Sequence, residues 1–481
     1  MTFRFLVSLF FLLYIPLVSL PAYAAVEEEW LGTYFQGKKL GFTQVRTDSG
    51  PAEVTVDSRV HIRMEMQGLD QSTTFTQSTV LDPENRLLRF SLVQEIMGNR
   101  QKVDGRIEGD TLVYRVVATG FDREKSIPFP PGAAPSATYL LNLARDGLKT
   151  GKKGKISIFM ESFQVMSELE YEVLREEDVE SLGQTHHAFV LLQRLSGMES
   201  TLWLTAEGLM LKEVVASGFE SVRETGAAAI DLGKEPLSVS HLITLSLVKP
   251  RGEMVRPETQ RRLTLALSNI RSPELLPQDR RQRVVETGRQ ADGAFRLVLN
   301  VATEPPAPAR IVPFPVPAPE EGAAAFLGES PHVQSNHPLI RALSREVTGK
   351  DKKDAWAAAL KINRWVYENL EKVLVDSVTA LDALKNRRGE CQSHTYLFTA
   401  LARAAGIPAR VVNGLVFSKE YGGFLYHAWP EVYVGEWRAL DPTLGQDAVD
   451  ATHVKLSGDE EETPLKLMEF IGRVGIDLIE K

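Results

Sequence analysis

Three residues in the C-terminal part of the chain could together perform nucleophilic catalysis. Cys391, the only cysteine among 481 residues, is followed along the chain by His427 and then by Asp441. A thiol, an imidazole and a carboxylate are the groups required by a cysteine nucleophile that is activated by an oriented base. His427 would take and return the proton, and Asp441 would fix the tautomer of its ring.

The residues around Cys391 predict that the thiol lies at the start of a helix. Gly389 is typical of a loop, and the helix face that follows is marked by Leu397, Ala400, Leu401 and Ala404, until Gly406 and Pro408 end it. Unpaired backbone N–H groups at a helix N-terminus favour a thiolate by roughly 0.3 to 1 kcal/mol. Because a free cysteine has a pKa of about 8.5, a further contribution from His427 is needed at neutral pH.

His427 and Asp441 are predicted on the two strands of one hairpin. The strand that begins at His427 turns near Gly435 and returns to Asp441. A two-residue turn would leave the two side chains on opposite faces of the hairpin. A three-residue loop, or a bulge near Pro430, would bring them to the same face.

Each of these residues also has a simpler interpretation. A solitary cysteine is often only a small buried hydrophobe. His427 could be a histidine satisfied within its strand, and Asp441 could merely begin a turn before Pro442. His394 is a rival base, but one helical turn from Cys391 it would lie alongside the reacting groups and not across from them.

Two aromatic residues next to His427 are candidates for the substrate groove. Trp429 and Tyr426 are expected either to wall the groove or to pack beneath the histidine. We predict no cofactor and no metal site, since His186 and His187 lack partners at the spacing of metal ligands. The acidic run at 459–462 lacks the spacing and the glycine of a calcium loop.

Three linked segments of the sequence resemble the core of the transglutaminase-like superfamily. They are RGEC at 388–391 with ARAAGIPARVV at 402–412, HAWPEV at 427–432, and WRALDPT at 437–443. The gaps of 36 residues (391 to 427) and 14 residues (427 to 441) suit this family, and the resemblance covers roughly residues 332–455. It implies a papain-like α+β domain in which Cys391, His427 and Asp441 cleave amide bonds, or transfer their acyl groups to amines, through a thioester.

The first 24 residues predict a secretory signal peptide. An apolar stretch over residues 5–18 is followed by the small-x-small pattern of residues 22–24. An uncleaved membrane anchor is the alternative, but the apolar stretch is short and contains Pro16. We therefore expect a periplasmic or secreted protein that begins near Ala25 and has no stable membrane insertion after cleavage.

Composition narrows the classes of partner. The net charge of -8 argues against nucleic acid, which requires clustered lysine and arginine. In an exported protein a lone cysteine cannot form an intrachain disulfide, so its reactivity is the expected reason for its presence. The predicted partner is a peptide or protein substrate in the cell envelope.

The pattern of the chain predicts a multidomain protein. Alternating strands favour a mostly antiparallel β region, and helical periodicity followed by strands favours the α+β domain. The predicted parts are a signal peptide (1–24), an antiparallel β domain (25–235), a small β-rich segment (236–304), a Pro-rich linker (305–331) and the transglutaminase-like catalytic domain (332–481). The alternative function is a non-catalytic envelope binding or scaffold protein that recognises its ligand through the β domain.

Overall fold

The computed structural model describes residues 26–479, apart from 67–68, 97, 234–235, 239–245, 318–320, 351–352, 374–378 and 459–462. The predicted signal peptide lies outside the described residues. The chain divides into two compact units near residue 241, here called the N-terminal unit and the C-terminal unit. Among the described residues no helix is both long and apolar enough to cross a membrane.

The N-terminal unit is built on one large, mostly antiparallel sheet, as predicted. Its strands follow the order β8-β7-β6-β5-β4-β3-β2-β1-β15-β14-β13-β12-β11-β10-β9, and β16 pairs with β3. The strands are β1 (Val26–Phe35), β2 (Lys38–Ser49), β3 (Val54–Met66), β4 (Leu69–Leu81), β5 (Leu87–Ile96), β6 (Asn99–Glu108), β7 (Thr111–Ala118), β8 (Phe121–Pro128), β9 (Ala134–Pro135), β10 (Lys153–Met160), β11 (Val165–Ser181), β12 (Gln184–Leu195), β13 (Met198–Leu204), β14 (Met210–Val215), β15 (Phe219–Arg223) and β16 (Leu237–Ser238). Along β7 and β13 buried residues alternate with more exposed ones, which is the pattern of a sheet with one covered face.

Two short helices accompany this sheet, α1 (Tyr139–Arg145) and α2 (Gly226–Ile230). Thr138 is the N-cap of α1, although Ser136, two residues earlier, is also a residue type that caps helices. The Ser136 hydroxyl instead lies 2.5 Å from an oxygen of the buried Glu161 carboxyl. A serine that can satisfy a buried carboxyl is thereby unavailable as a cap.

The C-terminal unit combines helices with two four-stranded sheets. Its helices are α3 (Glu321–Ala324), α4 (Pro338–Thr348), α5 (Ala355–Asn369), α6 (Ala380–Asn386), α7 (Cys391–Ala404) and α8 (Thr463–Met468). Its strands are β17 (Arg262–Ile270), β18 (Gln282–Arg289), β19 (Phe295–Ala302), β20 (Glu371–Lys372), β21 (Arg388–Gly389), β22 (Ala409–Ser418), β23 (Gly423–Tyr433), β24 (Trp437–Ala439), β25 (Val454–Ser457) and β26 (Gly475–Leu478). One sheet has the order β24-β23-β22-β25 and the other β18-β19-β17-β26.

Helix α7 is the central element of this unit. Its apolar side chains, among them the fully buried Leu397 and Phe398, belong to a core that also contains Ile362 of α5 and Val432 of β23. Burial along nearly the whole of α7 fixes its axis against the sheet β24-β23-β22-β25. This packing fixes the position of the start of α7 relative to the middle of β23.

Most of the two segments predicted between the main parts is integrated into the C-terminal unit. In the predicted small β-rich segment, β17, β18 and β19 share a sheet with β26, which comes from the C-terminal end of the chain, whereas β16 pairs with β3 of the N-terminal unit. In the predicted Pro-rich linker, the described residues 305–317 form no helix or strand, but Phe314 and Val316 are buried in the core around α7. The described residues 321–331 of the same predicted linker include helix α3 (Glu321–Ala324), so the linker is not extended throughout, and it packs against the domain that follows.

Candidate active site

Cys391 is the first residue of α7. Glu390 is the N-cap and makes no side-chain hydrogen bond to the first turn, so the backbone N–H groups there are not capped by a side chain. The thiol is buried, with the residue only 6% exposed. Cys391 therefore lies where the positive end of the helix dipole acts on it in a medium with little screening.

The loop between β23 and β24 decides which way Asp441 faces. Tyr433 pairs with Trp437, and Val432 pairs with Arg438. The loop is therefore three residues long (434–436), one of the two arrangements that the sequence required. Continued past the end of β24, this register puts Asp441 on the same face as His427.

The His427 ring and the Asp441 carboxylate form a direct hydrogen bond. Nε2 of His427 lies 2.7 Å from Oδ2 of Asp441, and both side chains are buried. Nε2 donates to an ionised acceptor in this arrangement, which leaves Nδ1 as the nitrogen free to exchange a proton. The carboxylate thus selects the tautomer, as an orienting group does.

The Cys391 thiol is the second partner of the His427 ring. Burial on its own would lower the pKa of His427, but the Asp441 carboxylate and the Cys391 side chain, which hydrogen-bonds the ring, together raise it. Because Asp441 occupies Nε2, the thiol faces Nδ1. Cys391, His427 and Asp441 therefore form a continuous chain of side chains from a helix start to a strand end.

Asp441 accepts hydrogen bonds at both of its oxygens. Oδ1 lies 2.7 Å from the backbone nitrogen of Thr443 and 3.0 Å from that of Leu444. Oδ2 contacts His427 and, at 3.1 Å, Nε2 of His453. Burial would raise the pKa of Asp441, but His427 and His453 hold it far below its usual range, so the carboxylate is ionised.

His453 is a site residue that the sequence analysis missed. It is fully buried, and its Nδ1 lies 3.1 Å from Oδ1 of Asp450. No spacing rule for catalytic residues singles out a histidine 12 positions after the acid (441 to 453). The only available signal in the sequence was that His453 follows Asp450 by three residues. This spacing is common in proteins and does not by itself indicate a functional site.

His427, Asp441 and His453 are also the group that could hold a metal ion among the described residues. Their nearest ligand atoms lie within 4.8 Å of one another. Imidazole and carboxylate are ligands that suit zinc and other transition metals. Their direct hydrogen bonds at 2.7 and 3.1 Å, however, already satisfy these atoms without an ion.

His394, the rival base, is held by its own helix. Its Nδ1 lies 2.8 Å from the carbonyl oxygen of Glu390, to which it donates. Burial lowers the pKa of His394, so the ring is neutral at physiological pH. It is the ring of His427, and not that of His394, that hydrogen-bonds the Asp441 carboxylate.

The groove assignment of the two aromatic residues needs correction. Trp429 is fully buried and stacks on His427 with ring centroids 6.2 Å apart, while Tyr426 is only 4% exposed. Neither side chain can wall a groove that is open to substrate. Of the two roles considered from the sequence, packing beneath the histidine is the one that fits Trp429.

Apart from His394, the pocket beside the site is lined by residues that the sequence analysis did not select. It has a volume of about 320 Å³ and is lined by Tyr367, Leu370, Lys372, His394, Thr443 and Leu444. His394 follows Cys391 by one helical turn, and Thr443 follows Asp441 by two residues, so the pocket adjoins the reactive groups. These residues come from α5, β20, α7 and the segment after β24. No local sequence pattern predicts that these elements meet at one pocket.

Part of the C-terminal unit matches a known protein family. Residues 341–442 match the family model described as the transglutaminase-like superfamily. The chain contains a transglutaminase-like domain. This match includes Cys391, His427 and Asp441, and it supports a cysteine-based enzyme.

Two curated proteins are similar to parts of the chain. The kyphoscoliosis peptidase of Mus musculus is 33% identical over 85 residues, which are 16% of this chain and 13% of that protein. An uncharacterized protein of Mycobacterium leprae (strain TN) is 37% identical over 71 residues, which are 14% of this chain and 25% of that protein. The chain therefore spans no more than a quarter of the length of these two relatives.

Solved structures give weaker likenesses. A proposed cysteine protease from Cytophaga hutchinsonii has a TM-score of 0.30 at 19% identity, with 46% of this chain and 81% of that chain covered. A β-barrel-like protein, a domain of unknown function from Brucella abortus, has a TM-score of 0.34 at 10% identity, with 42% and 96% covered. At these values neither likeness bears on the chemistry of the transglutaminase-like domain.

Proposed function

We propose that the chain is an exported cysteine-nucleophile enzyme that cleaves or transfers amide bonds of peptides or proteins through a thioester. The observation that carries this proposal is the chain of contacts from Cys391 through His427 to Asp441, with the 2.7 Å hydrogen bond at its centre. A thiol at a helix start beside an imidazole of raised pKa favours a thiolate and imidazolium pair. The match of this region to the transglutaminase-like superfamily supports the same chemistry.

The proposed reaction has two stages. The Cys391 thiolate attacks the carbonyl carbon of an amide, and the His427 imidazolium gives its proton to the leaving amine as the C–N bond breaks. His427 then takes a proton from water, or from an amine, as that nucleophile attacks the thioester carbonyl. The C–S bond breaks and releases Cys391 as a thiolate, which restores the thiolate and imidazolium pair. Asp441 remains ionised throughout and keeps Nδ1 of His427 directed at the reacting atoms.

The backbone N–H of Cys391 is the proposed donor to the oxyanion, because it belongs to the first turn of α7. The adjoining pocket would receive a side chain of the substrate. Its apolar walls, Leu370 and Leu444, and the ammonium group of Lys372 suit a side chain with an apolar stem and an anionic end.

Hydrolysis is the favoured outcome of the second stage. Water is present in any exported compartment, whereas transfer requires a site that binds the amine and excludes water. Periplasmic or secreted localisation is part of the proposal and rests on the predicted signal peptide. Envelope peptides or proteins are accordingly the proposed substrates.

A peptide library, incubated with the mature protein in the presence and absence of a labelled amine, tests the proposal. Cleaved peptides indicate hydrolysis, and amine incorporation indicates transfer. In both cases Cys391→Ser should abolish product, whereas Ser393→Ala, two residues further along the same helix, should leave activity in place if the variant folds. Product formed equally by Cys391→Ser would refute a cysteine nucleophile.

A non-catalytic binding protein is the second candidate. It would use the large sheet of the N-terminal unit for recognition, with the transglutaminase-like domain as a module for binding. A complete Cys-His-Asp chain argues against it, since a binding module needs no thiol beside an oriented imidazole. Absence of both products from the library, together with an unreactive Cys391, would favour this candidate.

A further inference from the structure

His453 has an environment in which both ring nitrogens meet carboxylates. Nε2 lies 3.1 Å from Oδ2 of Asp441, and Nδ1 lies 3.1 Å from Oδ1 of Asp450, while the ring itself is fully buried. A neutral imidazole can donate from only one nitrogen. Two carboxylate acceptors therefore require either a proton on both nitrogens or a proton on one of the acids.

The hydrogen bonds of the two acids favour ionised carboxylates. Asp441 already accepts from two backbone N–H groups and from His427. Asp450 accepts from the backbone and hydroxyl of Thr452 and from the side-chain amide of Gln446. Because every one of these partners donates, each acid is stabilised in its ionised form, and an acid proton could be accepted only by His453 itself. The extra proton therefore belongs on His453.

The other charged and polar groups nearby do not alter this assignment. The guanidinium of Arg281 donates to the backbone carbonyls of Asp450 and His453, not to their side chains. Lys455, two residues further on, is directed at Glu431 and Asp279. The ring of Trp429 meets that of His453 edge-on at 5.2 Å. The charged and aromatic groups that face the His453 ring are therefore two carboxylates, the ring of His427 on the far side of Asp441, and the ring of Trp429.

We propose that His453 is a positioning residue, held as a permanent imidazolium between Asp441 and Asp450, that clamps the Asp441 carboxylate and offsets part of its charge. This inference rests on the proposed function, because it assigns a partner to the orienting acid of that reaction. Held from one side by His453 and from the other by His427, Oδ2 has no freedom to rotate away from the reacting ring.

The charge on His453 has a predictable effect on His427. Their ring centroids lie 5.8 Å apart, with Asp441 bonded to both. A positive charge at this distance disfavours a second positive charge on His427 and so lowers the pKa of that ring. Removing it should raise the pKa of His427, so that the thiolate and imidazolium pair persists to higher pH and the ring becomes a poorer base near neutrality.

Two substitutions remove this charge in different ways. His453→Gln keeps one hydrogen-bond donor for Asp441 and removes the positive charge. Asp450→Asn leaves His453 in place but removes the carboxylate that stabilises a second proton on its ring. His187→Gln is the matched control, because His187 also lies between two carboxylates, Glu176 and Asp178, but is exposed in the N-terminal unit.

The measurement is the pH profile of alkylation of Cys391 in full-length protein, with wild type, both variants, the control and His427→Ala compared. Part of the alkylation rate depends on His427 and is lost above a certain pH. This pH should rise by about one unit in both variants and should not change in His187→Gln. An unchanged profile in a folded variant would overturn the inference. If His427→Ala labels like wild type, it is the proposed function that fails.

Two measurements on the wild-type protein keep the test independent of whether the variants fold. In ¹⁵N NMR spectra of the histidine rings, His453 should show two protonated nitrogens from about pH 5 to about pH 9, beyond the range of a free histidine. A neutral ring at pH 7 would overturn the inference. So would a stoichiometric divalent metal that His453→Gln removes, because a metal needs the lone pair of Nε2.

Discussion

Asp441 is the residue that connects the most groups in the candidate site. Its four hydrogen bonds use both oxygens, two of them with backbone N–H groups and two with histidine rings. The sequence offered two interpretations, an acid that orients His427 or a residue that begins a turn before Pro442. The structure contains both, because the turn presents one oxygen to the backbone and leaves the other for the rings.

Replacing Asp441 by asparagine should show whether this residue orients His427 or is only a buried carboxylate that stabilises the fold. In Asp441→Asn the amide nitrogen would face either the backbone N–H donors or the histidine rings. The fixed tautomer of His427 would be lost. We expect kcat to fall by roughly 10² to 10⁴-fold, as the loss of an orienting acid does in other triads, and stability to fall by about 1–3 kcal/mol. Steady-state kinetics and urea denaturation measure the two effects.

Asp292→Asn is the control for this substitution, because Asp292 is an exposed turn residue that accepts a hydrogen bond from the backbone N–H of Ala294. It should change neither quantity appreciably. Full activity in Asp441→Asn would remove Asp441 from the proposed mechanism.

At the scale of elements, the sequence predicted the helix at Cys391 and the hairpin of His427 because both depend on local patterns. Apolar spacing and the Gly406-Ile407-Pro408 stop define α7, and alternation defines β23. The loop length could not be settled from local propensities, since two-residue and three-residue loops share the same turn residues. Tertiary packing of Val434 and Leu440 in the core around α7 selects the longer loop.

The three-residue loop between β23 and β24 is therefore testable. Deleting Gly435 should convert it to a two-residue loop and turn Asp441 to the face opposite His427, or displace the strand altogether. Activity should be lost in either case. Gly435→Asn keeps the loop length and suits the positive φ of this position, so it should retain activity with slightly reduced stability. An active deletion variant would contradict the assigned register.

A buried ion cluster joins three strands of the sheet β24-β23-β22-β25. Glu431 of β23 bonds Lys455 of β25 at 2.8 Å and Arg410 of β22 at 2.6 Å. Burial would raise the pKa of Glu431, but Lys455 and Arg410 lower it from 4.5 to about 2. A depressed pKa means that Glu431 contributes stability above its unfolded pKa, and that this contribution is lost as the pH falls toward the folded value.

The free energy of unfolding of wild type should accordingly decrease between about pH 4.5 and about pH 2 more steeply than that of Glu431→Gln. Near neutral pH the variant should be less stable by at most about 3–5 kcal/mol, because the part-buried Arg410 loses its carboxylate partner and the buried Lys455 retains Asp279 alone of its two carboxylates. Glu420→Gln changes an exposed carboxylate and serves as control. Parallel pH profiles for wild type and Glu431→Gln would contradict the role of the cluster.

At the scale of the whole molecule, the sequence predicted the antiparallel sheet and the α+β domain but not how the intervening segments are used. Phe314 and Val316 look like linker residues between prolines, and their burial depends on a core assembled from distant elements. Likewise β17 pairs with β26 across about 200 residues of chain, a contact that no local pattern encodes. The pocket residues escaped prediction for the same reason.

The N-terminal unit is predicted to influence which substrates reach the transglutaminase-like domain. Each unit is compact by itself, so deletion of residues 25–235 should leave Cys391 reactive toward a small alkylating agent. The same deletion should change the set of peptides cleaved from a library. Unchanged activity and specificity would show that the N-terminal unit serves neither to cover nor to present the active site.

The most direct test of the central claim, that Cys391 is activated by His427, is the rate of labelling by iodoacetamide. Because Cys391 is the only cysteine, all label enters at this position. The mature wild-type protein should label rapidly near neutral pH, and His427→Ala should label slowly until the pH approaches the pKa of a free thiol, about 8.5. Equally slow labelling of both proteins at neutral pH would contradict the account.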